Sequence, residues 1–183
     1  GYDSHADNSC SLEPYKGKDI SAAPSKNCSN GRANRSFVSF LYLAKDVATA
    51  IHEVRPTKGD FVSIGKFKQK KELKIFNLAF PDILKCTKIN LDKAFDALQN
   101  VGFLNYLFSR PTGSGDKHFY LPTQLFVEKV ISKNYDGICF RSSFTDGLNY
   151  VIFDPSAFVF QSSELYEVDA IECKYEKCNS NKL

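Results

Sequence analysis

Between residues 31 and 160, short apolar runs alternate with segments whose apolar residues recur every three or four positions. Phe40, Leu41, Tyr42 and Leu43 form a compact apolar run, which predicts a buried strand over 39–44. Asp46 follows as an N-cap, and Val47, Ala50, Ile51 and Val54 recur at helical spacing, predicting a short amphipathic helix. Pro56 ends that helix, because proline cannot continue a helix interior and restricts the residue before it. Strands are expected over 59–68 and 73–78, on either side of a basic turn. Asn90 can cap a longer helix carrying Leu91, Ala94, Phe95, Leu98 and Val101, with Gly102 kinking or ending it. Residues 110–117, with Pro111, Gly113 and Gly115, read as a flexible loop, and 123–134 as a further helix. Strands over 137–142 and 149–154 are joined by a turn at Thr145-Asp146-Gly147, close enough to pair antiparallel. Helices and strands are thus mixed, and the class is α+β.

The flanks differ from this region. Residues 1–30 are rich in Gly, Ser, Asn, Pro and Lys and show no apolar period, so they read as an N-terminal arm or flexible lead segment. Residues 161–183 read as a C-terminal tail, leaving one domain over 31–160 with no internal repeat.

Composition narrows the function classes. A chain of 183 residues can bury roughly 70% of its unfolded surface, enough for a core without metal or disulfide support. The 16 Phe and 9 Tyr supply that core. A net charge of +3 is weaker than the footprint of a dedicated nucleic-acid binder, so nucleic acid is not the expected partner. No apolar run approaches the ~18 residues of a membrane span, and residues 1–20 are polar and acidic rather than basic then apolar, unlike a signal peptide. The six cysteines form no C-x-x-C pair and are too sparse for a disulfide scaffold. Free thiols and a cytoplasmic location are expected, with no metal site.

Candidate chemistry collects around residues 31–55, with a serine pair far downstream. Arg32, beside Gly31, suits bidentate phosphate binding, although a lone arginine is more often a solvated surface residue. Alternation turns Tyr42 to the opposite face from Leu41 and Leu43, to wall a cleft or to fill the core. Glu53 sits on the shoulder of the helix's apolar stripe, where a carboxylate can line a cleft, while His52 and Arg55 point elsewhere. Ser142 and Ser143 end a strand before a turn, a common position for site residues. No G-x-S-x-G surrounds them.

Three stretches together resemble the RES-domain family, named for its Arg, Glu and Ser. Gly31-Arg32-Ala33-Asn34 resembles the arginine motif. Leu41-Tyr42-Leu43-Ala44, running through Thr49-Ala50 to Glu53-Val54-Arg55-Pro56, resembles the tyrosine and glutamate motif. Tyr135-Asp136-Gly137-Ile138, Arg141-Ser142-Ser143 and Asn149-Tyr150-Val151-Ile152-Phe153-Asp154-Pro155 resemble the serine motif and closing strand. The resemblance implies a fold like that of ADP-ribosyltransferases, with a split, mostly antiparallel β core and flanking helices. It also implies an NAD-degrading toxin of a toxin–antitoxin pair, with a neutralising antitoxin as partner; self-association is left open.

Carried over by motif, Glu53, Ser142 and Tyr42 would be catalytic, and Arg32, Tyr42, Ser142 and Ser143 would bind NAD. NAD would be a substrate rather than a cofactor, and the acceptor could be water or inorganic phosphate as co-substrate. In that reading Glu53 stabilises the cationic ribose, Arg32 holds the pyrophosphate, Tyr42 walls the nicotinamide or ribose, and one serine orients Glu53 or a ribose hydroxyl. Three alternatives stand beside it, one of them a non-catalytic interaction domain that retains the fold. ADP-ribosyl transfer to a protein would use the same residues. An RNA- or ribosome-binding module would use Lys66-Phe67-Lys68-Gln69-Lys70-Lys71.

Overall fold

The backbone groups of the strand run near Tyr42 need partners, and they find them in the last hairpin of the chain rather than in the next element. A computed structural model describes residues 12–79, 91–109 and 120–172. In it β1 (Leu41–Ala44) pairs antiparallel with β5 (Leu148–Ile152), Tyr42 opposite Val151 and Ala44 opposite Asn149. β5 also forms the antiparallel hairpin with β4 (Gly137–Arg141), and β3 (Ile75–Asn77) adds in parallel to β4. The four-stranded order is β1-β5-β4-β3. β2 (Phe61–Gln69) and β6 (Phe158–Glu167) form a separate two-stranded sheet, antiparallel, with a register shift between Lys66 and Phe67. The result is one α+β domain with a split β core.

Helices α2 (Leu91–Ser109) and α3 (Leu121–Ile131) cover the larger sheet. Phe108, Val127 and Val130 pack there with Leu78, Ile138, Phe140 and Val151. Ile138, Cys139 and Phe140 are all buried, so β4 is covered on both faces, as its continuous apolar run requires. The short helix α1 (Val47–Glu53) behaves differently. Its Val47, Ala50 and Ile51 pack against Val62 and Ile64 of the smaller sheet. Its N-terminus is fastened to the end of β1: Asp46 Oδ1 accepts from the Thr49 backbone N–H at 2.8 Å and Oδ2 from the Thr49 hydroxyl at 2.9 Å. This capping is as the sequence predicts.

Several elements depart from expectation. The 73–78 strand shortens to Ile75–Asn77. Helix α2 runs straight through Gly102, which meets no other atom within 4 Å where a Cβ would stand. Glycine costs a helix interior only about 1 kcal/mol, and burial of Phe108 in the core one turn and a half later outweighs it. Residues 161–167, read from sequence as tail, are strand: their polar side chains hide a backbone that pairs with β2, and Lys66 Nζ meets Glu164 at 2.5 Å across the pair. Within the lead segment, the Tyr15 N–H donates to Ser63 Oγ at 3.1 Å and Ile20 lies against Gly65. The expected cap Asn90, the loop over 110–117, and Cys10, Cys86, Cys173 and Cys178 lie outside the described residues; Cys28 and Cys139 are free thiols. Among the described residues no helix is long and apolar enough to cross a membrane.

The cap on α1 generates a test. Hydrogen bonds from Thr49, backbone first and hydroxyl second, hold the Asp46 carboxyl below the usual carboxylate range. Asp46→Ala is expected to cost about 1 kcal/mol of stability at neutral pH. A depressed folded pKa stabilises above the unfolded value and ceases to do so as pH falls through the folded one. The gap between wild type and variant should therefore close as pH drops below about 4 in thermal or urea melts. A gap that widens in acid contradicts this role for Asp46.

Candidate active site

Residues 31–34 form a tight loop because several partners hold its backbone. The Gly31 N–H donates to the Asn34 carbonyl at 2.9 Å. From the first turn of α3, the buried Gln124 donates to the carbonyls of Gly31 at 2.8 Å and Asn34 at 3.0 Å. Buried Thr123 donates its hydroxyl to the Arg32 carbonyl at 2.6 Å. With its backbone stapled, Arg32 turns its side chain inward, where the guanidinium donates to the Phe108 carbonyl near the end of α2 and bonds Tyr120. Burial pulls the Arg32 pKa below its ordinary value; Tyr120 and Glu53 oppose that shift and Arg55 adds to it. The charge of Glu53 therefore acts on Arg32 across the cleft.

Tyr42 resolves the ambiguity of its strand. Leu41 is 4% exposed and enters the core, while Tyr42 on the opposite face is 49% exposed and lines the cleft. Its hydroxyl end is enclosed and donates to Asn34 Oδ1 at 2.6 Å. Burial pushes the phenol from 10 up to about 12, so it is a proton donor and not a base at neutral pH. Gly31 makes this contact sterically feasible: a Cβ there would stand 2.5 Å from Asn34 Oδ1 and 3.1 Å from the Tyr42 hydroxyl.

Glu53 is the last residue of α1, and its carboxylate reaches the β4–β5 hairpin. Ser142 Oγ donates to Glu53 Oε1 at 2.8 Å, and Asn149 Nδ2 donates to the same oxygen at 2.6 Å. Ser142 Oγ also accepts from the Phe144 N–H at 3.1 Å, which leaves its single proton for Glu53. Ser142 and Ser143 are thereby distinguished: Ser142 is buried against Glu53, and Ser143 has no hydrogen bond to it.

Two clefts meet at this point. One, of about 620 Å³, is lined by Arg32, Asn34, Tyr42, Glu53, Arg55 and Tyr120 among others. The other, of about 710 Å³, runs between the two sheets and shares Tyr42, Glu53 and Asn149 with the first. Neither Ser142 nor Ser143 is among the lining residues of either cleft, so the structure brings Arg32, Tyr42 and Glu53 to the cleft and Ser142 behind Glu53.

Sequence reasoning passed over four residues here. Asn34 and Asn149 are buried polar residues inside motif stretches whose neighbours drew the attention. Tyr120 lies just before α3, in a segment with no motif. Arg55 is turned away from Glu53 by helical projection, but α1 has already ended at Glu53. Its φ of 52° is left-handed, and the turn carries its guanidinium to 5.2 Å from the Phe144 ring centre and into the wall of the first cleft. The unusual cost of that backbone for a non-glycine residue is invisible in sequence.

The chain matches the RES domain family over residues 12–174. No curated protein sequence and no solved structure matches it.

The Tyr42–Asn34 contact generates a second test. Tyr42→Phe keeps the ring and strands the buried Asn34 oxygen, at an expected cost of about 1–3 kcal/mol near neutral pH. A raised tyrosine pKa stabilises below the unfolded value of 10 and fades as pH climbs to about 12. Urea melts should therefore show Tyr42→Phe losing less stability than wild type between pH 10 and 12. Parallel losses in the two proteins would refute an enclosed Tyr42 hydroxyl.

Proposed function

This chain belongs to the RES-domain family, and on that premise we propose that it degrades NAD by cleaving the nicotinamide–ribose bond. The observation that carries the reading is the Glu53 carboxylate, exposed where two clefts meet and facing the Arg32 guanidinium. In NAD the nicotinamide ring nitrogen is cationic, and it departs as neutral nicotinamide with the bonding electron pair. Positive charge then develops on the ribose, and a fixed carboxylate beside it is stronger in the transition state than in the ground state. Attack by water yields ADP-ribose and releases a proton; attack by inorganic phosphate yields the sugar phosphate. Both acceptors fit a cleft that holds two arginines, Arg32 and Arg55.

Arg32 would grip the pyrophosphate, with its backbone already stapled by Thr123 and Gln124. Tyr42 would offer its exposed ring as a wall for the nicotinamide or ribose. Ser142, which lines neither cleft, would act through Glu53 as a positioning residue; Ser143 receives no role. In a cell the activity would be that of a toxin, restrained by an antitoxin protein.

Glu53→Gln tests the reading, because the amide oxygen of glutamine can still accept from Ser142 and Asn149 while the charge is gone. Nicotinamide release should fall about 100- to 1000-fold with NAD still bound and the melt unchanged. Chromatography of the products with and without phosphate identifies the acceptor. Near-normal turnover with a normal melt would reject Glu53 as the charged group, and modified protein in place of free ADP-ribose products would indicate transfer to a protein.

A companion measurement concerns Arg32. Removing a charge-assisted pair of hydrogen bonds to phosphate is worth about 1.5–3 kcal/mol. Titrating Glu53→Gln protein with NAD should show at least about tenfold weaker binding when Arg32→Ala is added. Equal affinity would reject the phosphate role.

A further inference from the structure

A carboxylate that stabilises a cation must be aimed as well as charged. Glu53 sits at the end of a seven-residue helix on a side chain with three rotatable bonds, and it is exposed to the cleft. Left to itself, such a side chain samples several rotamers. Two donors restrict it, and both choose the same oxygen, Oε1.

Asn149 is the better anchored of the two donors. It stands near the start of β5, a strand paired on both edges, with Ala44 of β1 on one side and Phe140 of β4 on the other. It is 8% exposed, and its side chain borders both clefts. Its amide orientation follows from the contact itself, since an oxygen at 2.6 Å from a carboxylate oxygen would repel it, whereas the NH₂ donates. An aspartate at this position would set two carboxylates against each other, and a leucine would offer no donor.

We propose that Asn149 is a positioning residue of the NAD-cleaving site, holding Oε1 of Glu53 together with Ser142 so that Oε2 is presented to the ribose where positive charge develops. This rests on the reading of Glu53 given above. It predicts a specific kinetic pattern, because a residue that acts through Glu53 changes turnover only while Glu53 has a charge to aim.

The test is a double-mutant cycle on nicotinamide release with Asn149→Leu, Glu53→Gln and the pair, each with its thermal melt. Misplacing the carboxylate should lower kcat by up to about 100-fold with KM changed less than about threefold. In the Glu53→Gln background the same Asn149→Leu change should cost less than about twofold. Should the leucine variant lack a cooperative melt, Asn149→Ser, which is smaller and too short to reach Glu53, takes its place in the cycle. Equal losses in both backgrounds would overturn the proposal, since Asn149 would then act independently of Glu53. Full activity of the Asn149 variant beside an inactive Glu53→Gln protein would overturn it while leaving the reading of Glu53 intact. A wild-type protein that releases no nicotinamide, or a Glu53→Gln protein as active as wild type, would remove that reading and this proposal together.

Discussion

The two hydrogen bonds onto Glu53 Oε1 join parts of the molecule that no strand pairing joins. Helix α1 packs its apolar face on the smaller sheet, through Val47, Ala50 and Ile51 against Val62 and Ile64. Ser142 and Asn149 belong to the hairpin of the larger sheet. Hydrogen bonds to a charged group contribute about 1.5–3 kcal/mol each, so the pair is a substantial tie across the split. At its other end α1 is capped by Asp46, two residues past β1, and Thr49 Oγ1 lies 2.8 Å from Thr145 Oγ1 in the turn between β4 and β5. A helix fastened at both ends to one sheet and packed along its length on the other fixes the width of the opening between them.

Electrostatic preorganisation follows from that arrangement. The Arg32 guanidinium loses hydration by being drawn inward, and its lowered pKa records the cost. The Phe108 carbonyl, Tyr120 and the charge of Glu53 offset it. The loop that carries Arg32 is held by buried donors from α3, so its backbone is fixed while the guanidinium is set by Phe108 and Tyr120. Arg55 reaches the same cleft by a different device, a left-handed backbone and a stack on Phe144. Phe144 in turn donates its N–H to Ser142. One short turn between β4 and β5 thus supports both the carboxylate and the second arginine.

Legibility in sequence tracked how local each cause is. The N-cap at Asp46, the helical spacing after it, the stop before Pro56 and the Thr145-Asp146-Gly147 turn are consequences of a few adjacent residues, and all appear in the structure. The strand over 137–142 is legible as an apolar run, and its burial on both faces is a feature of the packed sheet. Residues 161–167 of β6 read as tail because their side chains are largely polar, whereas the pairing with β2 runs through the backbone, with the Lys66–Glu164 ion pair across it. Gly102 suggested a break that the distant burial of Phe108 overrides.

For the site, motif order brought Arg32, Tyr42, Glu53 and the serine pair onto the page, and alternation said that Tyr42 and Leu41 part company. Which face of β1 meets the core depends on its pairing with the distant β5, and Ser142 and Asn149 meet Glu53 from 89 and 96 residues away in the chain. Spacing within a helix or strand is short-range geometry, and the chain carries it locally. Contacts such as these are decided by the register of β1 on β5 and β5 on β4, where a slip of one residue would turn every side chain to the other face.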